Sequence, residues 1–178
     1  MTKACRCIAV NNSYRIAPWA EIVWFGDVKW WDWHHEELIA TGMKIATCCE
    51  HGGAREWEKS GRVVFYSRDR SPRYGISEKC GFVAWNGSSG AGAINLAYHM
   101  GAKKIILLGF DMHRISGKKN WHMDHRESTK YLPFTRHLKA FPNIKKDADR
   151  LGLTILNATP GSMIKQFPIV SLEEALRG

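Results

Sequence analysis

The sequence predicts an α/β fold, a mostly parallel sheet with helices on both faces. Three observations carry that expectation. Short apolar runs recur along the 178 residues, stretches of helical spacing alternate with them, and several runs end directly in Asn or Asp. Strands joined through helices pair in parallel, and such sheets take their ligands beyond the carboxyl ends of the strands.

The elements follow in chain order. Residues 5–10 (CRCIAV) read as a buried strand ending at Asn11 and Asn12, and residues 21–25 (EIVWF) as a second ending at Gly26 and Asp27. Residues 44–49 and 62–66 read as third and fourth strands, each with a Gly shortly before it that can close the preceding element. The text between 50 and 80 is loop-like. A Gly- and Ser-rich turn over 86–92 opens into a helix to residue 100, stopped by Gly101. Residues 104–111 (KIILLGFD) are apolar without interruption, which predicts a central strand covered on both faces. Residues 131–151 read as helical in parts and broken at Pro142, and 153–157 as a last strand before Ala158, Thr159, Pro160, Gly161 and Ser162. A short helix closes the chain, with Ser171 as N-cap and Glu174 completing a capping box.

Composition narrows the class. A chain of this length, against roughly 100 to 200 residues per domain, is expected to form one domain over 1–178, and 44% hydrophobic with 24% charged residues is a globular composition. No run nears the roughly 18 apolar residues that span a bilayer, and the first twenty residues lack a signal-peptide pattern, so a cytoplasmic protein without membrane contact is expected. Five cysteines at C-x-C and C-C spacings fit buried thiols better than a disulfide framework or a zinc site. The formal charge of +9 concentrates in residues 103–150, where 12 basic groups face 5 acidic ones. Such a patch attracts nucleotide phosphates, nucleic acid or an acidic partner without choosing among them, and it equally serves solubility. Helix-turn-helix, RRM and zinc-finger patterns are absent from the sequence, while binding to nucleic acid through phosphates stays open.

Two motifs carry candidate chemistry. Gly87, Ser88, Ser89 and Gly90 precede a helix whose free N–H groups and dipole favour an anion, although the turn matches neither G-x-x-x-x-G-K-[ST] nor G-x-G-x-x-G. A plain helix start packed on the sheet is the competing reading. His122, Asp124 and His125 lie on a polar loop past the strand that ends at Asp111. They fit a general base with an orienting carboxylate, the beginning of a metal site, or a solvated loop, and the His spacing is not one that zinc sites use. The strand-end rule adds Asn11, Asn12, Asp27, Asp111 and Asn157 as ligand-binding candidates. Trp30, Trp31 and Trp33 beside His34 and His35 read as packing before stacking on a ligand.

Taken together, Gly87 to Gly90, the run to Asp111, the His-bearing loop and the stretch from Asn157 to Ser162 resemble the bacterial sialyltransferases of the Campylobacter type. They are similar also to a broader domain family that includes archaeal hydroxymethylpterin pyrophosphokinases. The stretch from Ala9 to Ala20 with Trp30 and Trp31 resembles, over nearly the whole chain, uncharacterised proteins encoded in bacteriophages and prophages. The resemblance implies a Rossmann-like fold, lacking the family's first strand and its G-x-G-P-S loop, in a phage-encoded protein of the host cytoplasm. It implies a nucleotide or nucleotide-sugar ligand, with Asn11, Ser88, Ser89, Gly90 and Asp111 around the donor and Thr159 and Ser162 near it. His122 or His125 would be the general base of a metal-independent glycosyltransferase acting on an acceptor that can be anionic. Two alternatives remain: a non-catalytic module for a nucleotide-like ligand or an anionic partner, and a pyrophosphokinase-like enzyme using ATP and Mg. A missing first strand would also leave a sheet edge for a second copy to cover.

Overall fold

In the computed structural model, which describes residues 5–49, 58–71, 74–115 and 133–177, the chain is an α/β protein whose strand pairs are all parallel. Strands β1 (Ile8–Val10), β2 (Ile22–Phe25), β3 (Lys44–Thr47) and β4 (Val63–Phe65) form one sheet in sequence order. Helix α1 (Val28–Ala40) crosses between β2 and β3. Strands β5 (Ser67–Asp69) and β6 (Phe82–Ala84) pair separately, helix α2 (Ser89–His99) follows, and β7 (Lys104–Leu107) pairs with β8 (Thr154–Asn157). Helices α3 (Phe134–Leu138) and α4 (Phe141–Arg150) lie between them in sequence, and α5 (Leu172–Leu176) comes last, with the expected Ser171/Glu174 capping box.

The first sheet is sandwiched because its strands alternate two apolar sets. Ala9, Val23, Phe25, Ile45 and Val63 pack with Trp30, Trp31 and Leu38 of α1, Phe25 stacking on Trp31 at 5.0 Å between centroids. Trp30 and Trp31 are core, as their spacing suggested, whereas Trp33 is only partly buried. The alternate set, Ile22, Trp24, Ala46 and Cys48, packs with Ala93 and Leu96 of α2. A third cluster gathers Ala91 and Ile94 of α2, Leu107 and Ile155 of β7 and β8, and Phe141 and Ile144 of α4.

Four expectations need correction. Among the described residues β7 pairs only with β8, just Leu107 of its four residues is buried, and Leu108 is 48% exposed, so continuous apolar sequence did not bring cover on both faces. Pro142 starts α4 at its first turn, where a missing N–H costs nothing, and does not break a helix. The stretch taken as loop contains β5, and β6 also went unread. Of the five thiols only Cys48 and Cys49 are buried, just past β3 where they join the two core clusters, burial pushing Cys48 up to about 12; Cys7 is half-buried, and Cys5 and Cys80 are exposed because neither reaches a core cluster. Among the described residues no helix is long and apolar enough to cross a membrane.

Candidate functional site

The carboxyl ends of the two main sheets meet at the first turn of α2. Trp24 near the end of β2 donates its indole N–H to the Ser89 carbonyl at 2.9 Å. Val10 pairs beside Trp24, which places Asn11 at the next position on the same rim. From the other side the Phe110 ring, just past β7, lies so close to Gly90 that a Cβ there would sit 2.9 Å from it. Gly90 is therefore a close-approach glycine, joining α2 to the loop that carries Asp111.

The α2 N-terminus is built from an Asn-Gly turn and a serine cap. Asn86 (φ 58°) and Gly87 (φ 74°) both occupy the left-handed region, which Asn and Gly tolerate best. Ser88 Oγ accepts from the Ala91 N–H, and the Ser88 carbonyl accepts from Gly92. The N–H groups of Ser89 and Gly90 find no acceptor among the described residues. Two donors at the positive end of an eleven-residue helix thus face the rim.

The remaining candidates divide into engaged and unengaged groups. Thr159 Oγ1 accepts from the Phe110 N–H at 3.0 Å, and Ser162 Oγ donates to the Phe110 carbonyl at 2.6 Å while accepting from Ile164 N–H. Both hydroxyls hold the loop after β7 in place. Asn12 is buried under α1, its Oδ1 accepting from Trp30 Nε1 at 2.6 Å, and Asp27 caps α1 through Lys29 N–H. These four side chains have internal partners that account for their residue types. By contrast, Asn11 (φ 49°) keeps a buried Oδ1 without a partner, and fully buried Asn157 spends its Oδ1 on Thr159 N–H and leaves Nδ2 without one. The backbone at Asp111 is fixed by Met163 N–H, and its side chain is half-buried. His122, Asp124 and His125 lie outside the described residues.

Residues that the sequence reading passed over support this rim. Asn95, in the middle of α2, accepts from Ser77 and Ala84 N–H and donates to the Ser77 carbonyl; Asn86 does the same for Gly75 N–H and the Gly75 and Ala84 carbonyls. The two amides act as rungs of a ladder between loop 74–77 and β6. Asp69 anchors the same loop through the Ser77 hydroxyl at 2.6 Å. Burial raises its pKa, yet the Ser77 hydroxyl, the Ser71 N–H and Lys79 outweigh this and hold it below the ordinary aspartate value. Arg68 bonds the Cys48 and Gly26 carbonyls and lies 4.6 Å above the Trp85 ring, tying together the carboxyl ends of β2, β3 and β6. An asparagine inside a helix was the available sign, since Asn is a poor helix former.

A groove of about 560 Å³ lies at the opposite, amino-terminal end of the first sheet, between Arg6, Ile22, Lys44 and Tyr66. Tyr66 belongs there, and Tyr74 packs in the cluster under α4. Comparison with protein-family models, with curated proteins and with solved structures finds no match for this chain.

Proposed function

We propose that the chain binds a nucleotide or nucleotide-sugar, with the ligand's phosphate or carboxylate on the first turn of α2, and transfers the sugar to an acceptor hydroxyl. The observation that carries this reading is the pair of N–H groups, Ser89 and Gly90, that find no acceptor among the described residues, together with the unpartnered amide of buried Asn157 at the carboxyl end of β8. An anion gains both N–H bonds and the helix dipole there, in the position where parallel sheets bind ligands. Asn11 supplies an acceptor and Asn157 a donor for the ligand's polar edges. His122 or His125, with Asp124 orienting it, serves as the base that takes the acceptor's proton, and no metal enters the step.

A thermal-shift screen with nucleotides and CMP-, UDP- and GDP-sugars, with and without magnesium, tests the reading. A ligand at 100 times its Kd adds about 2.7 kcal/mol, which a domain of this size shows as a shift of several degrees. Ser89→Glu places a carboxylate where the anion would sit. It keeps the fold, because acidic residues suit a helix N-terminus, and it abolishes the shift. Silence across the panel overturns the proposal, and so does a shift that survives Ser89→Glu. Replacing His122 and His125 by Ala separates binding from transfer: affinity stays while turnover falls by roughly 10²–10⁴-fold. A ligand that binds without any turnover in the unaltered chain points to a non-catalytic binding module.

A further inference from the structure

Helix α2 covers only part of the first sheet. Side chains alternate between the two faces of a strand, so Ile22 and Trp24 of β2, Lys44 and Ala46 of β3, and Val64 of β4 with Tyr66 just past it belong to the α2 face. Cover reaches Trp24 and Ala46, both fully buried in the cluster with α2. It stops there. Val64, which lies beside Ala46 in register, is 47% exposed, and Lys44, beside Ile22, is exposed as well. Parallel sheets are ordinarily covered on both faces, and here the uncovered strip next to Met100 at the end of α2 is the groove of about 560 Å³.

The lining of this groove combines an apolar trough with unmet donors. Ile22, Met43, Val64, Met100 and the Tyr66 ring supply the apolar part, and the volume falls within the roughly 300–1,000 Å³ of small-molecule sites. Thioether sulfurs attract aromatic rings, and methionine side chains adapt their shape to a guest. The Tyr66 ring is braced, stacked with His99 at 6.2 Å and edge-on to Trp24 at 6.3 Å between centroids. The charged lining residues are Arg6, Glu21 and Lys44. Arg6 and Glu21 neutralise each other at 2.8 Å, which leaves the Lys44 ammonium uncompensated, with no acceptor among the described residues. The Tyr66 hydroxyl has no partner among them either, and burial followed by Cys80 raises its pKa, so it stays a donor. One uncompensated positive charge at an apolar trough suits a ligand with one anionic group on an apolar body.

We propose that this groove binds a small aromatic carboxylate, its ring against Tyr66, Met43 and Met100 and its carboxylate on Lys44. None of the lining residues belongs to the first turn of α2, so the inference stands apart from the nucleotide reading.

NMR titration of the whole chain, with its methionine methyl groups isotope-labelled, tests it. The probe is naphthoate, and the control is naphthamide, which has the same shape without the charge. Naphthoate is expected to shift the Met43 and Met100 methyl signals saturably, and the amide to bind roughly tenfold or more weakly, as the loss of a charge-assisted bond implies. Lys44→Gln, at an exposed position, keeps the fold and lowers the naphthoate affinity to that of the amide, whereas Lys146→Gln on α4 removes an equal charge outside the groove and changes nothing. Val64→Glu, also at an exposed position, sets a carboxylate in the groove and abolishes binding, while Ser89→Glu leaves it intact. Equal affinity for the acid and the amide overturns the proposal. So does silence at Met43 and Met100, or naphthoate binding that Lys44→Gln leaves unchanged.

Discussion

Asn95 shows what a single polar side chain does inside this molecule. It is fully buried, and its amide supplies partners for two N–H groups and one carbonyl on two separate segments, loop 74–77 and β6. Asn95→Ala removes all three partners and leaves the backbone groups buried, where each unmet group costs on the order of 1–3 kcal/mol. Water relieves part of this, so a loss of about 2–4 kcal/mol is expected in urea unfolding. A loss below about 1 kcal/mol would show that loop 74–77 is held by Asn86, Asp69 and Asp147 without Asn95, through Gly75, Ser77 and Ile76. The strand-end rule found Asn11 and Asn157, whose amides retain unpartnered atoms, because it asks only where a residue stands in the chain. It could not separate them from Asn12, since the Trp30 indole that engages Asn12 comes from 18 residues away, just as the Phe110 N–H that engages Thr159, a candidate from the resemblance, comes from 49. Pairing over such distances leaves no local mark in a sequence.

At the scale of elements, periodicity located β2, α2 and β8 closely because each carries enough apolar residues to set a period. It missed β5 (Ser67–Asp69), whose three residues are polar and whose middle one, Arg68, acts by reaching across to other strands. That reach makes the joint between β2 and β6 sensitive to shape. A Cβ on Gly26 would lie 1.9 Å from the Trp85 ring, far inside any real contact. Gly26→Ala therefore displaces Trp85 and with it the Arg68 stack, at a cost of roughly 1–3 kcal/mol or more. Trp85 fluorescence alone is hard to isolate among eight tryptophans, so the readout is the melting temperature, compared with Gly42→Ala as a second glycine variant. Gly42 has left-handed backbone but open space around it, so its loss reports backbone strain alone. Equal losses at the two positions would mean that Trp85 moves aside freely and that the joint is not rigid.

For the molecule as a whole, acid stability follows from groups whose native pKa is displaced. His137 on α3 is held down to about 4, first by burial and then by the neighbouring Arg136. An unfolded histidine takes up its proton near 6.5, so between about pH 6.5 and 4 the unfolded chain binds a proton that the folded chain refuses. Stability is at its full value above that window and falls as pH drops through it. Asp69 and Glu37 add a second limb below it. For Asp69 burial is outweighed by the Ser77 hydroxyl, the Ser71 N–H and Lys79, and for Glu37 the leading cause is Arg15; both carboxyls are held below their ordinary values. Their contribution is present above the unfolded carboxylate range and is lost as pH falls beneath it. The melting temperature should thus decline in two stages, a first between about pH 6.5 and 4 and a steeper one below. His137→Phe keeps the half-buried ring volume and has no proton to refuse, so it flattens the first stage and leaves the second. If the first stage survives His137→Phe unchanged, the proton responsible belongs to another histidine, and α3 is not the acid-sensitive part of the fold.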